Sequence, residues 1–166
     1  MSEIIAVITF VLNWSNMENI KMKEALNAAK LRCSKGEKCI SEVVDFLARF
    51  DITEKETAMI TAILIAEKFI DESRYARAYV LDKFRFNKWG RIKIRFELQR
   101  KNIPAAIIID SLDSINEKEY SDVIKFLISQ KKIKTDNAYE YRQKMLRYLY
   151  GKGYEPEIVE KFINCP

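Results

Sequence analysis

Three short stretches decide the fold: "LARFDI" (47–52), "LQRKNI" (98–103) and "LYGKGY" (149–154). Each sets a Leu, four mostly polar residues and then an apolar residue. The leucines fall at 47, 98 and 149, so both steps are 51. Val43, Ile94 and Met145 keep that interval, as do Ala25 with Ala76 and Ile107 with Ile158. Apolar anchors at a fixed period are the mark of a repeated supersecondary unit, and three repeats are expected.

Working outward from these anchors, the apolar spacing from residue 21 onward is helical and resolves each unit into three helices. The first unit is predicted as Lys21–Cys33, Lys38–Phe50 and Glu54–Ile70. Thr53 and Glu56 have the T-x-x-E spacing with which a hydroxyl and a carboxylate satisfy the orphan amides of a helix start. The second unit is predicted to run Glu72–Phe84 and Trp89–Lys101; Asn102 then takes a left-handed turn, and Pro104 stands in the first turn of the next helix. The third is Tyr120–Lys131, Ala138–Tyr150 and Pro156–Ile163, with Gly151 or Gly153 ending its middle helix. The expected organisation is an N-terminal extension over 1–20, then repeats at 21–70, 71–117 and 118–166. A unit of about 50 residues has too much surface for its volume to be stable alone, so neighbouring units are expected to share an apolar seam. The resulting fold class is all-α: three tandem three-helix, helix–turn–helix-like repeats in an elongated, curved body roughly 60–70 Å long.

Composition narrows the chemistry. The chain has 166 residues, 48% of them hydrophobic, with only four Gly and three Pro, which suits long helices better than a turn-rich β protein. It contains no His, which removes His-based triads, His-containing zinc sites and imidazole switching together. Cys33, Cys39 and Cys165 lack C-x-x-C spacing and are odd in number, so they are read as free thiols of a reducing cytosol. The apolar run Ile4–Leu12 is far shorter than the ~20 residues a membrane helix requires and lacks the marks of a secretion signal. It is expected to lie outside the fold, with Met17 or Met22 as a candidate start. No cofactor and no small-molecule substrate are expected, because a Gly-rich phosphate loop and a carboxylate cluster are both missing.

Charge is concentrated. From Lys83 to Lys101 there are eight cations, half of them Arg, against Glu97 alone, a net of +7. The whole chain is +5, so everything outside the window sums to −2. On a helical wheel Ile94 and Leu98 carry the repeat register toward the core, while Trp89, Ile92 and Phe96 converge on the opposite side. That second stripe needs a cover, from a neighbouring unit, a helix or a partner. Lys88, Arg91 and Arg95 are placed on one edge and Lys93 with Arg100 on the other, where Glu97 can pair with Lys93. A solvated basic rim would explain such edges alone. The planar guanidinium fork, however, matches phosphates and carboxylates, and a phosphate backbone is the plainest ligand for the strip. About five neutralised phosphates on a single strand would give a salt slope of roughly −3.5. The expected contact surface is therefore Arg85, Lys88, Arg91, Lys93, Arg95, Arg100 and Lys101, with Arg74, Arg77 and Trp89 as an extension. No catalytic or metal-binding residue is expected: Asp71 reads as a helix cap, and Tyr75 with Tyr79 as core.

At this point the residues resemble a known family. "FIDESRYARAYVLDKF" (69–84) followed by "KWGRIKIRFELQRKNI" (88–103) is similar to the signature of RecX, the bacterial regulator of the RecA recombinase. The likeness rests on Phe69-Ile70-Asp71, Arg74-Tyr75-Ala76, Lys88-Trp89-Gly90 and the spacing of Arg95, Leu98, Lys101 and Ile103. It extends more weakly to 25–52 and 145–163, and Asn102 stands where the family usually has Gly. The resemblance implies three tandem three-helix repeats and a non-enzymatic, cytoplasmic regulator lying in the groove of the RecA–DNA filament. It further implies inhibition of ATP hydrolysis, strand exchange and co-protease function in DNA repair and the SOS response. The expected partners are thus the RecA filament and the phosphate backbone of single- or double-stranded DNA, without sequence specificity and without a membrane. The alternative is a helix–turn–helix DNA-binding protein such as a transcription factor, although no repeat shows an obvious reading helix rich in Asn, Gln and Arg at its start.

Overall fold

The structure, a computed structural model, describes residues 20–163. The run Ile4–Leu12 and Cys165 lie outside the described residues. Within them the chain forms nine α-helices and no strand: α1 (Ile20–Ser34), α2 (Ile40–Leu47), α3 (Glu54–Ala66), α4 (Glu72–Arg85), α5 (Arg91–Arg100), α6 (Ala105–Leu112), α7 (Glu117–Gln130), α8 (Ala138–Gly151) and α9 (Pro156–Ile163). The fold is all-α, with the helices arranged as tandem helix triplets. The chain divides after Asp71 into two compact units, the first holding α1–α3 and the second α4–α9.

The 51-residue register is the core register. Val43, Ile94 and Met145, and Leu47, Leu98 and Leu149, are all fully buried on the middle helix of each triplet. Burying one such Leu side chain contributes about 1.5–3 kcal/mol, so the anchors mark the positions where the sequence is least free to change. In the first unit Val43 and Leu47 meet Leu26 of α1 and Leu64 of α3. Cys33 and Cys39 are buried free thiols, and burial pushes the Cys33 thiol up from its ordinary range.

Helix ends are where the expectations needed correction, and left-handed residues are the reason. Lys68, Lys88 and Asn102 have φ of 64°, 55° and 60°. After α5 the Ile103 amide donates to the Leu98 carbonyl at 3.2 Å and the Asn102 amide to Gln99 at 2.9 Å. After α8 the Tyr154 amide reaches Leu149 at 3.2 Å and Gly153, at φ 86°, reaches Tyr150 at 2.8 Å. Both are Schellman turns, which satisfy the last carbonyls of a helix and seat an apolar residue on its final turn. The same closure at Lys68, with the Phe69 amide on Leu64 at 2.8 Å, stops α3 at Ala66 instead of Ile70. Another left-handed residue at Lys88, with the Trp89 amide on Lys83 at 3.1 Å, puts Trp89 in a turn and delays α5 to Arg91. A Lys at such a position gives no signal in the sequence. Further shifts are smaller. Cys39 is an extended N-cap and α2 spans Ile40–Leu47 only, the Phe50 amide turning back to Leu47 at 2.9 Å. Pro104 is the N-cap residue of α6, one position before its first turn. Asn116 caps α7, accepting from Lys118 and Glu119 at 2.9 and 3.1 Å, so that helix begins three residues before Tyr120. The Thr53–Glu56 capping box forms as expected.

The expected apolar seam joins the second and third triplets through glycine. The Gly90 amide donates to the Lys152 carbonyl at 2.8 Å and the Ile92 amide to Gly153 at 3.0 Å. The Arg91 amide donates to the Tyr120 hydroxyl at 3.1 Å. Three orphan amides at the start of α5 are thus satisfied from the following triplet, a demand that every helix start makes. A Cβ on Gly90 would lie 2.2 Å from the Gly153 oxygen, and one on Gly153 would lie 2.3 Å from Lys93 Cβ. Beneath this contact Tyr120 packs on Phe84 and Tyr154, with ring centroids 5.7 and 5.2 Å apart.

Candidate functional site

The seven cations of the expected surface do not share one environment. Arg91, placed by the wheel on an exposed edge, is drawn inward. Its side chain is 16% exposed, its guanidinium binds Glu117 at 2.6 Å, comes within 3.9 Å of Glu155 and lies 4.2 Å from the Tyr120 ring centroid. It also reaches the Ile115 carbonyl at 3.4 Å. Arg91 therefore holds the second triplet to the third. Its partners lie far along the chain, so the wheel had no access to them. Arg85 sits near Glu119 at 3.4 Å with both side chains largely open. Lys88 leaves the helix edge altogether, since it forms the left-handed turn before α5; its carbonyl accepts from the Tyr154 hydroxyl at 3.2 Å. Arg95 is exposed on α5, with no carboxylate among the described residues in ion-pair range. Glu97 pairs with Arg100, at 3.4 Å, and not with Lys93. Arg77, on α4, binds Asp110 of α6 at 2.7 Å. Arg74 is exposed on the same helix.

What the structure brings together instead is a ribbon in which cations and aromatic rings alternate. Lys93 Nζ lies 4.5 Å from the Trp89 ring centroid, and Lys83 Nζ lies 6.0 Å from Trp89 and 5.2 Å from Tyr79. Lys101 Nζ is 5.9 Å from both Tyr79 and Tyr75, and those two rings stack at 5.9 Å. An ammonium over a ring face gains about 0.5–1 kcal/mol at an exposed site. The ring quadrupole thus holds the Lys93 charge in place without neutralising it, whereas Lys83 Nζ is also bonded to Asp82 at 2.8 Å. Lys83 and Tyr79 were not expected in this surface, while Tyr75, 6% exposed, is a core residue as expected. Their signal is the i, i+4 spacing of Tyr75, Tyr79 and Lys83 on α4, which places them on one face.

The apolar stripe opposite the core is open. Ile92 is 47% and Phe96 57% exposed on α5, and Ile109 of α6 is 55% exposed. Among the described residues no three His, Cys, Asp or Glu side chains converge as a metal site, and no helix is long and apolar enough to cross a membrane. The charged ribbon and the open apolar residues lie on the same triplet, the one with the +7 window.

Helix triplets in tandem, each built on the same buried register, define a class of all-α helical-repeat proteins. Residues 71–112 match the family description "RecX, second three-helix domain", and 129–163 match "RecX, third three-helix domain". The chain is 28% identical over 170 residues to "Regulatory protein RecX" of Clostridium botulinum, covering 89% of this chain and 79% of that relative. It is 30% identical over 152 residues to "Regulatory protein RecX" of Clostridium perfringens, covering 89% and 69%. In fold it is similar to the crystal structure of RecX from Lactobacillus salivarius, with a TM-score of 0.73, 24% identity and 86% of this chain against 94% of that one. A second solved structure of the regulatory protein RecX superposes with a TM-score of 0.78 at 22% identity, over 85% and 72%. The chain belongs to the RecX family of regulatory proteins.

Proposed function

We propose that this chain binds the RecA–DNA filament in the cytoplasm and inhibits the recombinase by contact, without catalysing a reaction. The observation that carries the reading is the second triplet's surface, where the ring-held cations Lys83, Lys93 and Lys101 and the exposed Arg95 accompany the open residues Ile92 and Phe96. A nucleoprotein filament presents both phosphates and protein surface. A face that is basic and apolar together fits that mixture better than it fits bare DNA, which would be met by charge alone. Inhibition is then mechanical: the bound chain opposes the subunit changes that accompany ATP turnover.

The test is recombinase ATPase on single-stranded DNA, titrated with the wild-type chain and with Lys93→Glu/Arg95→Glu/Lys101→Glu. Wild type should inhibit well below one copy per recombinase, and the variant should lose inhibition while keeping its helical circular dichroism. Arg91 is left intact in this variant because it secures the seam. Inhibition that requires enough protein to coat the DNA would instead favour a plain DNA binder. Full inhibition by the triple variant would remove this face from the mechanism.

A further inference from the structure

The third triplet carries a second cationic site that the +7 window does not include. We propose that the groove between the segment 131–135 and α8 takes the phosphodiester backbone of single-stranded nucleic acid, with Tyr148 as the ring that receives a base. The groove has a volume of about 530 Å³ and is lined by Lys131, Lys132, Lys134, Lys144, Arg147 and Tyr148, with Ile133 between the lysines. No carboxylate lines it. Glu140, in the first turn of α8, is already committed, bonded to Lys144 at 2.6 Å and to the Thr135 hydroxyl at 2.5 Å. Those two partners hold its carboxyl below the usual range, Lys144 most of all. Lys131, Lys132, Lys134 and Arg147 have no carboxylate among the described residues within ion-pair range.

Four like charges facing one groove repel each other, and a polyanion relieves that repulsion while releasing its own counterions. Tyr148 decides between a nucleic-acid strand and an acidic protein surface. Its ring lies among the cations, 4.7 Å from Lys131 Nζ and 5.7 Å from Lys152 Nζ. Both ammonium groups sit on flexible stems that can swing to phosphates and leave the ring face to a base. Aromatic rings flanked by cations are the recurring platform for single strands, since any unpaired base can stack there. Lys144, Arg147 and Tyr148 have the i, i+3 and i+4 spacing that puts them on one face of α8.

This site stands apart from the recombinase reading and would survive its failure. The test uses the full chain and fluorescence anisotropy with a labelled oligothymidylate, an abasic strand of the same length and a duplex, over roughly 50–200 mM salt. Lys132→Ala/Lys134→Ala/Arg147→Ala should flatten the dependence of log affinity on log salt by about 2, from ~0.7 for each lost phosphate contact. Tyr148→Leu should weaken oligothymidylate binding about tenfold and leave the abasic strand unaffected, whereas Tyr148→Phe should bind as wild type. Three results overturn the proposal. One is an unchanged salt slope in the triple variant. Another is duplex binding equal to single-strand binding. The third is intact oligonucleotide binding with lost recombinase inhibition, which would make the groove a seat for an acidic protein surface.

Discussion

Gly90 and Gly153 meet backbone to backbone, and neither tolerates a side chain. At Gly90 the obstacle to a Cβ is a carbonyl oxygen at 2.2 Å that is also accepting the Ile92 amide, so relief requires moving two helices apart. Gly90→Ala should therefore cost about 3 kcal/mol, read as a lower urea midpoint, while Gly151→Ala, with open space around its Cβ position, should change little. Equal midpoints for the two variants would contradict the close approach. The tyrosines beneath the glycines make a pH prediction. Burial, and for Tyr120 the hydrogen bond to Glu155, lift both the Tyr120 and Tyr154 phenols well above their ordinary range. In the unfolded chain they ionise near pH 10; in the folded chain they stay protonated. Their contribution to stability is thus full below about pH 10 and falls as pH rises past it. Tyr120→Phe/Tyr154→Phe loses three hydrogen bonds and should be weaker at neutral pH. Its Tm should nevertheless fall less steeply between about pH 9.5 and 11, and an unchanged steepness would rule the phenols out. None of this was legible beforehand. The sequence placed Trp89 and Gly90 inside a helix, and nothing local says that Gly90 faces Gly153 or that Arg91 faces Glu117.

At the scale of the element the sequence spoke more clearly, because periodicity reports burial. The 51-residue step found the fully buried middle-helix positions in all three triplets, and Thr53 with Glu56 announced its own helix start. Helix ends were legible only where the residue type advertised them. Asn102 was expected to be left-handed and is; Lys68 and Lys88 adopt the same conformation without a residue that prefers it. An L-residue pays roughly 1–2 kcal/mol there, less for Asn, whose short polar side chain tolerates the conformation. Asn102→Gly should accordingly be neutral or slightly stabilising. Asn102→Val, with a β-branched side chain at φ 60°, should lower stability by about 1–2 kcal/mol, measured by thermal melting. A tolerated Val would mean that the closure after α5 does not depend on the left-handed residue. The wheel, for its part, placed Ile94 and Leu98 correctly but failed for Trp89 and Lys88, which are not in the helix and so obey no helical phase.

For the whole molecule, charge is the property that sequence conveys best, since a sum does not depend on the fold. Residues 83–101 carry +7 and residues 131–152 carry +5, which leaves −7 for the rest of a chain whose total is +5. Two basic faces therefore stand against an acidic remainder, which favours association through those faces alone. What the sum could not give is their division of labour, because only the structure shows Arg91 withdrawn, Lys93 held over a ring and Ile92 with Phe96 left open. Charge and apolar contact respond differently to salt, and that difference supplies the last prediction. Screening shortens the reach of exposed charges to about 8 Å at physiological ionic strength and leaves apolar burial nearly untouched. Lys93→Glu/Arg95→Glu should therefore reduce inhibition of recombinase ATPase strongly at low salt and much less at high salt. Ile92→Ser/Phe96→Ser should reduce it by a similar factor at every salt concentration, on the order of tenfold if two side chains are buried on the partner. Measured together, the two variants separate the parts of the surface. If both lost potency with the same salt dependence, the face would not be divided into charged and apolar contacts, and the ring-held lysines would be stabilising α4 and α5 and contributing nothing to filament binding.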